Sequence, residues 1–390
     1  MGSPNPEILR WARETAGFSL EEAARRLNMS SKSAIETLVA YEEGQKAPSR
    51  PRLKAMAKQY HRSYLTFFLH RPPERADLGE DFRTLPGADP QKNSGTLDAL
   101  VRDIYVRQSL VKEALIETEE AEEIGLVGAG SLRIPVPEAC RAIAEFFNID
   151  VDVFRAQNSS HDAFAYLRSQ VESRNIYVLL IGDLGTHHSQ VSPDVFRGFA
   201  LSDAIAPFIV VNNYDSKAAW SFTLLHELVH IWLGKTGISN QSHEHVIEKY
   251  CNDVASHFLV ADEEIEMLRP RKGDDVEDIL TSVSAFTRDN NVSGSLVVYR
   301  MFRSGLINEP TWRQLKEEFA RLWRESKLRE RENRKGKDSS GSYYNTQKHK
   351  VGRGLIGVVK RSIGEGVLTE TKASKVLGVS SGSVTEMLGA

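Results

Sequence analysis

The chain has 390 residues, of which 41% are apolar and 26% charged, and its net charge is −3. These values exclude a disordered chain and predict two or three globular domains rather than one. Two cysteines far apart in sequence, Cys140 and Cys251, exclude a disulfide framework. No signal-peptide pattern opens the chain, and no run of about 18 apolar residues could span a membrane, so a cytoplasmic protein is expected.

Residues 6–70 read as five short helices. Pro6-Glu7 opens the first, with Ile8, Leu9 and Trp11 apolar and Gly17 at its end. Ser19 is placed to cap the second, with Glu22 completing a capping box and Leu20, Ala23, Ala24 and Leu27 facing inward. Ser30 or Ser31 caps a third helix over 31–40, closed by Gly44, and Pro48 and Pro51 introduce a fourth. Tyr64 to Leu69 closes the bundle before Arg71-Pro72-Pro73. The stretches Ser19-Leu20-Glu21-Glu22-Ala23-Ala24-Arg25-Arg26-Leu27 and Tyr41-Glu42-Glu43-Gly44 resemble the Xre, or lambda-repressor, type of helix-turn-helix domain. The resemblance implies DNA contact through the third helix, with Ser31, Lys32, Ser33 and Thr37 as the contact residues. Residues 1–70 carry 11 Lys/Arg against 7 Asp/Glu, a modest basic footprint. A helical docking module without DNA binding is the competing reading.

Residues 74–96 look like a linker, and 97–124 return to helical spacing through Leu97, Leu100, Val101 and Ile104. After a Gly-rich break at 125–132, a helix ends near Phe147-Asn148, and Ala163–Val171 is helical. Three strands follow: Ile176 to Ile181, Phe196 to Leu201, and Pro207 to Asn213. The last precedes a helix over 217–233, and as an edge strand Phe208, Ile209, Val210, Val211 and Asn212 could hold an extended substrate by backbone pairing.

That helix is apolar nearly all round, so it belongs in a core, and polar groups inside it need partners. His226 and His230 lie one turn apart on one face, where both imidazoles can reach a single cation. Glu227 lies beside them, placed to orient and deprotonate a water molecule. A chance HExxH in a chain of this length is the alternative, but chance does not favour a buried helix directly after an apolar strand. A metzincin would need Gly at 233 and His at 236; Leu233 and Thr236 exclude that class. The third ligand comes from His243, His245, Glu248 or Asp253. Glu248 is favoured because it opens an ExxxN pattern on a helix, with Asn252 one turn later to bond the other nitrogen of a ligating histidine. His243 and His245 lie in a loop-like stretch. Tyr214, His187, His188 and Arg197 are candidates for stabilising a developing oxyanion.

Residues 311–361 hold 15 Lys/Arg and 6 Asp/Glu, the stretch 336–347 is expected to be flexible, and 351–390 return to short amphipathic helices. Thr369 to Ser380 resembles a second helix-turn-helix opening, against a plain solvated basic face.

The segments Arg197 to Leu201, Ala206 to Asn212, Phe222 to His230 and Ile247 to Ala255 resemble the ImmA/IrrE family of metallopeptidases. The resemblance implies a gluzincin-type domain in which a small mixed sheet lies against the active-site helix. It implies ligands His226, His230 and Glu248, Glu227 as general base, and Zn2+ as the ion, with Mn2+ or Fe2+ compatible with the same ligands. It further implies cleavage of a partner repressor, often co-encoded, in phage, mobile-element or stress responses; Xre-fused members beside toxin genes resemble antitoxin regulators. Many members have Pro where this chain has Ala261. The expected architecture is α+β and mostly helical. It comprises an Xre-type domain over 1–72, a connector over 73–130, a peptidase domain over 131–310 and a basic helical region over 311–390. Expected partners are a co-encoded repressor or toxin, DNA, and a second copy of the chain in a homodimer. The competing function is a transcriptional regulator or antitoxin whose metal site is structural or rarely used.

Overall fold

The computed structural model describes residues 3–29, 33–73, 94–185, 189–234, 241–334 and 343–389. The described residues fall into two compact units. One gathers those of Met1–Leu78, Thr84–Tyr105 and Asp183–Val195, the other those of Val106–Gly182 and Phe196–Ala390. The fold is α+β and mostly helical, and among the described residues no helix is long and apolar enough to cross a membrane.

In the first unit, Asn5 caps α1 (Pro6–Thr15) by accepting the Glu7 N–H, and Pro6 at the first turn forfeits no helical hydrogen bond. Ser19 caps α2 (Leu20–Arg26) through the Glu22 N–H, but the reciprocal half of the capping box is not formed. The Glu22 carboxylate instead accepts from Arg26 at 3.0 Å, one turn along the same helix. α3 (Ala34–Glu42) starts later than the expected position 31, and its N-cap Ser33 makes no side-chain capping bond to the first turn. α4 (Arg50–Gln59) follows Ser49, and the fifth expected helix is a 3-10 turn over Tyr64–Phe68. Ile8, Leu9, Leu38, Met56, Tyr60 and Phe67 form the core. Beside it Arg13 and Glu42 make a buried two-pronged pair at 2.7 and 2.9 Å, the planar fork matching the carboxylate.

The residues of α5 (Ser94–Glu117) divide between the two units. The second unit continues with α6 (Val136–Phe147), closed by Asn148 in the left-handed conformation that a short polar side chain tolerates. Next come α7 (Val151–Arg155), which the apolar spacing did not announce, and α8 (Ser160–Glu172). The sheet is built from β1 (Tyr177–Leu180), β2 (Gly198–Leu201) and β3 (Phe208–Val211) in the order β1-β3-β2. β1 runs parallel and β2 antiparallel to β3. β3 is therefore the central strand, and its backbone is committed on both sides. The expectation that Phe208, Ile209, Val210, Val211 and Asn212 form a substrate-binding edge is overturned. Four apolar residues in a row mark a strand buried on both faces. Asn212, fully buried, donates to the Phe196 carbonyl at 3.0 Å and accepts the Tyr214 N–H, which locks the strand ends.

α9 (Lys217–Trp232) packs on the sheet, on α8 and on α10 (Gln241–Leu259). α10 begins early enough to take in positions 243 and 245, which were expected in a loop. Short α11 (Asp262–Met267), then α12 (Val276–Asn290), α13 (Gly294–Arg303) and α14 (Glu309–Arg334) complete this core, with Leu315 of α14 fully buried in it. The C-terminal helices are α15 (Tyr343–Val351), α16 (Arg353–Gly364), α17 (Glu370–Leu377) and α18 (Val384–Leu388). Of the stretch 336–347 expected to be flexible, 343–347 are helical in α15 and 336–342 lie outside the described residues. α15 packs against β1 and α16 against α8. The attachment is polar at its centre. Arg168 and Glu172 of α8 form a buried pair at 2.9 Å; Arg168 donates to the carbonyls of Val178 and Lys350, and Glu172 accepts the Gly354 N–H at 3.0 Å.

Candidate metal centre

α9 is buried along almost its whole length, with His226 at 0%, Glu227 at 3% and His230 at 2% exposure. The helical repeat places the two imidazoles together, their Nε2 atoms 2.9 Å apart. α10 brings Glu248 against both: its carboxylate oxygens lie 3.0 Å from His230 Nε2 and 3.5 Å from His226 Nε2. Of the candidates for the third position whose side chains the structure describes, Glu248 is the one that reaches the histidine pair. His245 is exposed on α10, Asp253 pairs with Arg303 at 3.1 Å, and the side chain of His243 lies outside the described residues.

A tetrahedral ion with metal–nitrogen bonds of about 2.0–2.1 Å holds its ligand atoms roughly 3.3 Å apart. The separations of 2.9, 3.0 and 3.5 Å bracket that value. Two imidazole nitrogens and a carboxylate form a donor set that suits zinc. A neutral imidazole carries one proton; with Nε2 turned to the cluster, that proton belongs on Nδ1. His226 Nδ1 is buried without a hydrogen-bond partner among the described residues, and Asn252, half-buried on α10, gives it none.

Glu227 faces the sheet side of α9. Its Oε1 lies 3.0 Å from where a Cβ on Gly198 would stand, and the Thr223 methyl lies 2.5 Å from the same point. The missing side chain of Gly198 is thus what lets β2 approach the helix at the carboxylate. A glycine inside a strand is a signal of such close approach, legible in the sequence but not used there. A second residue missed at that stage is Cys251, fully buried, whose sulfur and the imidazole nitrogens of His226 and His230 all lie within 4.8 Å of one another. Its signal was its place three residues after Glu248, hence on the same helical face.

Arg197, just ahead of β2, pairs with Asp215 at 3.8 Å. Tyr214 is held by Asn212 and accepts Lys327 on its carbonyl at 2.9 Å. His187 and His188 lie outside the described residues, as do Ser31 and Lys32. Ser33 is exposed, and the Thr37 hydroxyl donates to the Ser33 carbonyl at 2.8 Å.

Residues 177–302 match the peptidase family M78 model, described as an IrrE N-terminal-like domain, and residues 9–67 match a helix-turn-helix family model. Curated proteins and solved structures give no match. The chain thus carries a metallopeptidase-type domain behind an N-terminal helix-turn-helix, as the two resemblances implied.

Proposed function

We propose that the protein is a zinc-dependent endopeptidase that cleaves a partner regulatory protein of repressor type, co-encoded with it and acting in a stress, phage or mobile-element response. The observation that carries the reading is the convergence of His226, His230 and Glu248 in a buried cluster, with Glu227 one residue along the same helix. Those three residues would hold the ion, and Mn2+ or Fe2+ would suit the same donors. When bound, the ion supplies Lewis-acid polarisation of a peptide carbonyl and makes water nucleophilic near neutral pH. Glu227 takes the proton of the attacking water and passes it to the leaving amine.

Substrate would lie along β2, the edge strand that stands where β3 was expected. In the antiparallel ladder with β3, Asn212 donates to the Arg197 carbonyl, so Phe199 and Leu201 also turn their peptide groups toward β3. Gly198 and Ala200 therefore aim theirs away from the sheet, and Gly198 lies against Glu227. An extended peptide pairing there passes beside the base.

The test is Glu227→Gln, incubated with the products of neighbouring genes. Loss of cleavage with metal still bound supports the assignment; cleavage at the wild-type rate sinks it. A second reading rests on the helix-turn-helix match: a promoter-binding regulator, or antitoxin, with a little-used metal site. Promoter retention in a gel shift, with no neighbour cleaved, would favour it.

A further inference from the structure

The cluster contains one donor more than a peptidase of this type requires. We propose that Cys251 is a fourth protein ligand of the metal, so that the resting site is closed. The inference rests on the metal centre assigned above but not on its catalytic use.

Three observations converge on it. α10 presents Glu248 and Cys251 three residues apart, on one face, and that face meets His226 and His230. The sulfur lies within 4.8 Å of one ring nitrogen of each histidine. A tetrahedral ion with sulfur and nitrogen bonds of about 2.3 and 2.0–2.1 Å sets those atoms roughly 3.6 Å apart. A shift of the thiol toward the histidines by about 1 Å would bring it to that separation. Finally, Cys251 and His226 are 0% exposed and His230 2%, whereas the Glu248 side chain keeps 23% of its surface. The soft donor is thus on the enclosed side of the cluster and the carboxylate on the open side.

The chemistry gives this placement a consequence. Zinc takes thiolate, imidazole and carboxylate ligands alike, and sites with four protein ligands leave no position for water or substrate, whereas those with three do. A Cys251-bound ion is held in a latent state, from which peptide or water must displace the sulfur. Thiolate ligation also biases the site toward zinc and cobalt over manganese. An ordinary buried cysteine acts as a small hydrophobe packed in the core, and alanine would serve in that role.

The experiment loads the metal-free full-length chain with cobalt(II) and records stoichiometry and absorption, with Cys251→Ala, Cys251→Ser and Cys140→Ser alongside. The expected result is one cobalt per chain and a near-ultraviolet thiolate-to-cobalt charge-transfer band in the wild type and in Cys140→Ser. Both Cys251 variants bind one cobalt without that band, and their zinc affinity falls at least about tenfold, the scale seen when even a supporting partner of a metal ligand is lost. The serine variant decides the matter should the alanine variant not fold. Cobalt bound by the wild type with no such band overturns the fourth ligand and leaves the three-ligand centre standing. No cobalt or zinc bound by any form overturns both.

Discussion

Gly198→Ala is the perturbation most tightly specified by the structure. A Cβ at this position would stand 2.5 Å from the Thr223 methyl, 2.9 Å from the Val210 carbonyl oxygen and 3.0 Å from Glu227 Oε1. Carbon atoms pack at about 3.5–4.0 Å, so β2 and α9 must separate by roughly 1 Å at a place where β3 backbone closes the third side. Overpacking of this kind costs about 1–3 kcal/mol. At about 2–4 °C per kcal/mol, the melting temperature falls by about 2–12 °C. The Glu227 carboxylate must also yield by a few tenths of an ångström. A misplacement of about 1 Å can cost on the order of a hundredfold in rate, so cleavage should fall on the order of tenfold. Metal stoichiometry should be unchanged, because Glu227 is not a ligand. Thr223→Ser deletes the closest methyl, and in the Gly198→Ala background it should restore part of the lost stability. Thermal unfolding and cleavage rate, measured over this double-mutant cycle, provide the check. An unaltered melting temperature and rate in Gly198→Ala would refute the close approach of strand and base.

Two further expectations concern the C-terminal helices. Glu172→Gln leaves the buried Arg168 guanidinium without its counter-charge and weakens the hold on Gly354. It should cost about 3–5 kcal/mol, read in denaturant unfolding, and a loss below 1 kcal/mol would contradict the role given to the pair. Burial first, then the charges of Arg168, His161 and Lys217, hold His349 down to about 4 from an ordinary 6.5. Once unfolding restores the ordinary value, the unfolded chain takes up a proton below pH 6.5 that the folded chain refuses until about pH 4. Stability from this group is thus intact above about pH 6.5, declines as pH falls toward 4, and then levels off. His349→Gln should flatten that part of the urea-midpoint profile, and an identical slope would remove His349 as its source.

The helix that carries the histidine pair was legible because its period carries the chemistry: residues four apart come within one turn of each other only if 217–233 is a helix. Glu248 was legible for the same reason, through the spacing of α10. The strands showed as short apolar runs, but their order did not, because runs of Val and Ile say that a strand is buried without saying which neighbours it takes. The edge position expected of β3 therefore falls to β1 and β2, with β3 between them. Gly198 and Cys251 escaped notice because each is marked out only by a neighbour on a distant segment: α9 for the glycine, the histidine pair for the thiol. The capping box at Ser19 was half right, since Glu22 finds an arginine one turn along a better partner than the backbone. Locally dictated features were readable, and those set by tertiary pairing were not.

The central claim is that one divalent ion is held by residues from two helices. It is tested most directly by elemental analysis of the purified full-length chain beside the His226→Gln and Glu248→Gln variants, with zinc as the added ion. One zinc per wild-type chain is expected, with substoichiometric, readily dialysed zinc in both variants. Wild-type protein that folds fully yet takes up no zinc, or variants that retain it undiminished, would contradict it.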